Sequence, residues 1–121
     1  MSEHDEQAAF MEWCGWMSNG LYPELQWMYA IPNGGHRHKA TAAKLKDEGV
    51  KAGVPDLHLP IPAGPYHGLW IEMKVDKRKP NDNQYAWLDA LKELGHKVVV
   101  CYGSGEAIAA TEAYLIMLRS G

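Results

Sequence analysis

The sequence predicts an α/β fold, a sheet with helices set against it. Three observations carry that expectation. Residues 69–75 alternate apolar and polar, the period of a strand. Apolar residues recur at helical spacing in two other stretches, around Phe10 and around Leu88. Val98–Tyr102 is a continuous apolar run of strand type that follows the second of these stretches.

The elements follow in order. Ser2 suits the N-cap of a first helix, and acidic residues fill its first turn, where the helix dipole favours them. Ala9, Phe10, Trp13, Trp16 and Met17 should face the core, and Asn19-Gly20 ends the helix. Gln26 to Ile31 reads as a short first strand, and Pro32-Asn33-Gly34-Gly35 as a turn. A helix from about Thr41 to Glu48 ends at Gly49. Asp56 to Leu59 is the second strand and Leu69 to Val75 the third. The proline- and glycine-rich loop between them is too short for a crossover helix, so they should pair antiparallel. Asn81 to Asn83 cap a helix from Gln84 to Leu94, stopped by Gly95. Val98–Tyr102 should be a central strand, buried on both faces. Ser104 caps a last helix, Glu106 to about Leu118.

Bulk properties bound the function. The 121 residues suit one domain with one core. No stretch approaches the roughly 18 to 20 apolar residues of a membrane span, and the acidic N-terminus is unlike a signal peptide. A cytoplasmic protein is the expectation, with Cys14 and Cys101 as reduced, buried thiols. A net charge of −3 does not advertise a nucleic-acid binder. The charges are clustered, however: His36-Arg37-His38-Lys39, Lys44-x-Lys46 and Lys74-x-x-Lys77-Arg78-Lys79 are basic. A local basic groove binds phosphates even on a mildly acidic protein.

The chemistry concentrates in Pro55-Asp56 and Glu72-x-Lys74. Alternation puts Leu69, Ile71, Met73 and Val75 on one face of the third strand, and Trp70, Glu72 and Lys74 on the other. Glu72 and Lys74 are then neighbours about 6 to 7 Å apart. Two carboxylates on paired strands suit a hard divalent cation such as Mg²⁺ or Mn²⁺. The Met73 carbonyl offers a third ligand, and Lys74 a charge beside the phosphate. That combination suits phosphodiester hydrolysis, which needs an activated water and shielded phosphate charge. A bare pattern of this kind is weak by itself. An exposed strand pair and an aspartate in a turn would look the same.

The flanking motifs strengthen it. Ile31-Pro32-Asn33-Gly34-Gly35-x-Arg37, Leu45-Lys46-x-x-Gly49-Val50-Lys51-x-Gly53-Val54-Pro55-Asp56-Leu57, Gly68-Leu69-x-Ile71-Glu72-x-Lys74 and Gln84 together resemble the VRR-NUC family, a branch of the PD-(D/E)XK nucleases. The resemblance spans nearly the whole chain. It implies a restriction-endonuclease-like αβββαβ core, a mixed central sheet flanked by helices, with the Thr41 to Glu48 helix as an insertion. It implies a DNA endonuclease using Mg²⁺ or Mn²⁺, with Asp56, Glu72 and Lys74 as catalytic core and Gln84 near the site. It also implies a metal-ligating glutamate on the first helix. Glu3, four residues before Gln7, fits that pattern best; Glu6 lies one turn further on the same face, and Glu12 fits less well.

Arg37 is the DNA-contact candidate next to the Asn33-Gly34-Gly35 turn, and Lys77, Arg78 and Lys79 are the others. His36-x-His38 lacks nearby cysteines at zinc spacing. Trp70 shares the face of Glu72 and either packs on the first helix or stacks on a nucleobase. Short chains of this family resemble stand-alone phage and bacterial members, which implies a cytoplasmic setting and a two-fold homodimer. Paired sites would suit symmetric cleavage of branched DNA such as Holliday junctions. Tyr114, Leu115, Met117 and Leu118 on the last helix are an expected interface, or else they close the chain's own core. A DNA-binding module without turnover, or a nuclease for another nucleic acid, are the alternatives.

Overall fold

The computed structural model describes residues 1–32 and 39–120. Arg37, with the Asn33-Gly34-Gly35 turn, His36 and His38, lies outside the described residues.

Helix α1 (Glu3–Ser18) opens on a reciprocal cap: the Ser2 hydroxyl accepts from the Asp5 N–H, and the Asp5 carboxylate accepts from the Ser2 N–H. Phe10 and Cys14, four residues apart, are its buried stripe, and Trp13 stacks on Phe10 at 5.9 Å. Trp16 does not join them. It is 68% exposed, because six residues on from Phe10 the helix has turned it about 120° away from that stripe.

The expected first strand is mostly helical. Pro23–Trp27 forms a 3₁₀ turn with proline at its start, burying Leu25 and then Met28 on one side. Only Tyr29–Ala30 remains as strand β1. Helix α2 (Lys39–Asp47) begins before Thr41 and is exposed over most of its described surface, as suits an insertion. It is followed by β2 (Leu57–Leu59), β3 (Leu69–Lys74), α3 (Asp82–Glu93), β4 (Lys97–Tyr102) and α4 (Ser104–Ser120).

The four strands form one mixed sheet in the order β1-β2-β3-β4. The first two pairings are antiparallel, with Tyr29 opposite His58 and His58 opposite Trp70. The last is parallel, with Glu72 opposite Val100 and Lys74 opposite Tyr102. The interior strands are therefore β2 and β3. Val98–Tyr102, expected there, is the edge, and Val98–Val100 are only partly buried. Helices α3 and α4 both pack on β4. Cover by helices, rather than by strands on either side, explains its apolar run.

One sheet face is the core. Leu57, Leu59, Leu69, Ile71 and Met73 are fully buried there with Phe10, Cys14, Ala107, Tyr114 and Leu115. Each large side chain removed from water contributes about 1.5–3 kcal/mol. Tyr114 and Leu115 thus close the chain's own core and are not available as the expected subunit interface, whereas Met117 and Leu118 pack against that core and stay partly exposed. Cys14 and Cys101 are free and buried, and burial pushes both thiols up to about 12. The opposite sheet face carries His58, Trp70, Glu72 and Lys74.

Candidate active site

Asp56 comes just before β2, one step beyond the Leu57–Ile71 pair, and so stands opposite Glu72. It is tied to β3 directly: the Met73 N–H donates to Asp56 Oδ2 at 2.7 Å. Gly53 helps place this segment. Its φ of +93° is a left-handed conformation, and a Cβ there would lie 2.6 Å from the backbone of Asn83. A glycine thus lets the Asp56 segment touch the first turn of α3.

That turn supplies Gln84. The Asn81 side chain accepts from the Gln84 N–H at 2.9 Å, and Gln84 Oε1 accepts from the Asn81 N–H at 2.9 Å. The cap uses the carbonyl end of Gln84 and leaves its amide to donate to Glu72 Oε2 at 3.1 Å. Lys74 Nζ faces the same oxygen at 3.5 Å. Glu72 is 1% exposed, and its other oxygen, Oε1, is buried with no hydrogen-bond partner.

The third carboxylate comes from α1. Oxygens of Glu3, Asp56 and Glu72 all lie within 4.8 Å of one another, the one such grouping of acidic, histidine or cysteine side chains among the described residues. Glu6 is engaged elsewhere. Its Oε2 accepts from the Ser104 hydroxyl at 3.1 Å, at the start of α4.

Three carboxylates meet beside one ammonium, with Glu72 buried and Glu3 and Asp56 partly so, and the electrostatics record the conflict. Burial pushes Glu72 up to about 8, the neighbouring Asp56 adds to the rise, and Lys74 only partly offsets it. Burial also raises Asp56, against the pull of the Met73 N–H and of Lys74. The two carboxyl groups are electrostatically linked, so a proton held on Glu72 relieves their repulsion. A divalent cation would relieve it as well. Oxygen-only ligands, excess negative charge and the orphaned Glu72 Oε1 fit such an ion.

The sequence profile of the VRR-NUC domain matches residues 1–105. The chain belongs to the VRR-NUC family. A solved structure described as a VRR_NUC domain protein superposes on it with a TM-score of 0.82 at 30% identity, covering 97% of this chain and 90% of that one. No curated protein matches. VRR-NUC membership makes this a nuclease-type, DNA-processing domain. No helix among the described residues is long and apolar enough to cross a membrane.

The remaining expected residues separate. Lys77, Arg78 and Lys79 are exposed on the loop after β3. The loop starts at Asp76, in a left-handed conformation at φ +56°, and is pinned where the Tyr102 hydroxyl donates to the Arg78 carbonyl at 2.8 Å. Trp70 is partly buried on its face of the sheet. It stacks on His58, ring centroids 3.8 Å apart, with His96 edge-on at 6.0 Å. Burial and His96 together lower His58 to about 4, and its Nδ1 lies 2.7 Å from the Tyr29 hydroxyl. The sequence reading missed this aromatic row. Its signal was His58 itself, the polar residue alternating with Leu57 and Leu59 and brought beside Trp70 by the antiparallel pairing.

Proposed function

We propose that this domain is an endonuclease that hydrolyses DNA phosphodiester bonds with Mg²⁺ or Mn²⁺. The observation that carries the reading is the meeting of the Glu3, Asp56 and Glu72 carboxylates, the last of them buried, beside Lys74. Glu3, Asp56 and Glu72 would hold the cation, with the Met73 carbonyl as a further ligand. When bound, it supplies charge to shield the phosphate and to favour hydroxide over water.

The side chains do the rest. Gln84 and Lys74 both bind Glu72 Oε2 and fix the carboxylate's orientation. The Met73 N–H holds Asp56 in the same way. Lys74 brings its ammonium next to the scissile phosphate, where it stabilises developing negative charge. Arg37, Lys77, Arg78 and Lys79 are the proposed backbone contacts, and neutralising them should flatten the salt dependence of DNA binding. The preferred substrate is branched DNA, cut by a homodimer whose two sites make paired incisions.

The test is a panel of labelled single strands, duplexes, flaps, forks and four-way junctions, incubated with Mg²⁺, Mn²⁺ or EDTA. Wild type should cut in metal and not in EDTA, and Asp56→Ala, Glu72→Ala and Lys74→Ala should each be inactive yet folded. Turnover by any of the three at the wild-type rate would sink the assignment.

A further inference from the structure

The face that carries Glu72 is graded from one end to the other. Lys74 and Tyr102 are paired at one end, and the Lys77–Lys79 loop leaves from there. Asp56 and Glu72 lie in the middle. Two residues further back, about 6 to 7 Å along the strands, comes the row Tyr29, His58 and Trp70, each paired with the next across β1, β2 and β3. Cations thus lie on one side of the carboxylates, with Tyr102, and the aromatic row of Tyr29, His58 and Trp70 lies on the other.

The row is built from the inside outward. Trp70 and His58 stack nearly parallel, at an interplanar angle of 11°. Tyr29 stands edge-on to His58 at 5.3 Å, its hydroxyl held by His58 Nδ1. Trp70 and His58 are partly covered, whereas Tyr29 is 46% exposed at the sheet edge. An exposed ring fixed by a hydrogen bond and a stacked support loses little freedom when something packs on it. A strand whose phosphate sits at the carboxylates, with its backbone held at the cationic end, must leave across this row.

We propose that Tyr29 stacks on the base of the nucleotide next to the scissile phosphate, with His58 and Trp70 as its support. The proposal deepens the DNA-cleaving reading and rests on it. Stacking suits an enzyme without base-edge readout, because every base offers a face.

The test maps the wild-type cut and then places an abasic analogue on either side of it. Affinity is measured by fluorescence anisotropy in Ca²⁺ for wild type, Tyr29→Ala, Tyr29→Leu and Tyr29→Phe, with thermal unfolding as a check on folding. Tyr29→Ala and Tyr29→Leu should weaken binding to intact DNA about tenfold, within the range of a single base–aromatic stack. Tyr29→Phe, which keeps the ring and loses the hydroxyl, should stay within about twofold of wild type. On DNA abasic at the flanking position, the four proteins should bind alike. Equal losses on intact and abasic DNA, or a loss in Tyr29→Phe as large as in Tyr29→Ala, would overturn the stacking role. Wild-type protein that neither binds nor cuts any DNA would instead overturn the nuclease reading itself.

Discussion

Glu72 is the residue on which the account turns. It sits in the middle of the interior strand β3, almost without exposure, and still carries an ionisable group. Its folded value near 8 lies above the ordinary 4.5. Between those values the native state binds more protons than the unfolded chain, so stability falls as pH rises through that window. In EDTA, unfolding measured by urea at pH 5, 6.5 and 8 should show that decline, amounting to a few kcal/mol. Glu72→Gln, which cannot ionise, should flatten it and be more stable than wild type at pH 8. A wild-type stability that is level across this range would show that Glu72 is not held protonated. The residue pair was legible in sequence because strand alternation alone puts Glu72 and Lys74 together. Spacing to Gln7 favoured Glu3 over Glu6 although both lie on one helix face, and the geometry agrees in gathering Glu3 with Asp56 and Glu72 while Glu6 meets Ser104.

At the scale of elements, the first turn of α3 does two tasks with one residue. Gln84 closes the helix cap through its carbonyl and backbone, and steadies Glu72 through its amide. Asn81→Ala should therefore cost about 1 kcal/mol of stability and also lower cleavage severalfold, because Gln84 loses the bond that orients it. An activity unchanged after the stability loss is allowed for would separate the cap from the site. A cap within Asn81–Asn83 was readable, but not that the helix starts at Asp82 and so makes Gln84 the residue that reaches back to Asn81. Nor was the rank of β4 in the sheet. A strand buried by helices on both faces has the same composition whether or not it has strand neighbours, so Val98–Val100 gave no sign of the edge. Likewise Leu25 and Met28 serve a 3₁₀ turn where an extended reading expected strand. A spacing of three residues over so short a run does not discriminate between them.

For the whole molecule, α1 and α4 seal one sheet face, and Glu72 with its partner Gln84 lies away from it. Tyr114 and Leu115 of α4 are consumed by that seal, so the proposed homodimer draws on other residues. Trp16, Leu21 and Trp27 are each more than half exposed, and aromatic residues of that kind are enriched at contacts. Light scattering after gel filtration should give the mass of two chains, and Trp16→Glu should lower it. A monomer mass for wild type at micromolar concentration would reject the dimer and with it the paired incision of junctions. It would leave the single active site untouched.

The central claim is that Glu3, Asp56 and Glu72 form a divalent-cation site, and calorimetric titration with Mn²⁺ tests it most directly. Wild type should bind about one ion per chain, more tightly at pH 8 than at pH 6 because the ion displaces the proton held by Glu72 and Asp56. Glu72→Gln and Glu3→Gln should lose most of that affinity, while Glu6→Gln should keep it. Equal binding by wild type and Glu72→Gln, or a loss in Glu6→Gln larger than in Glu3→Gln, would contradict the site as assigned.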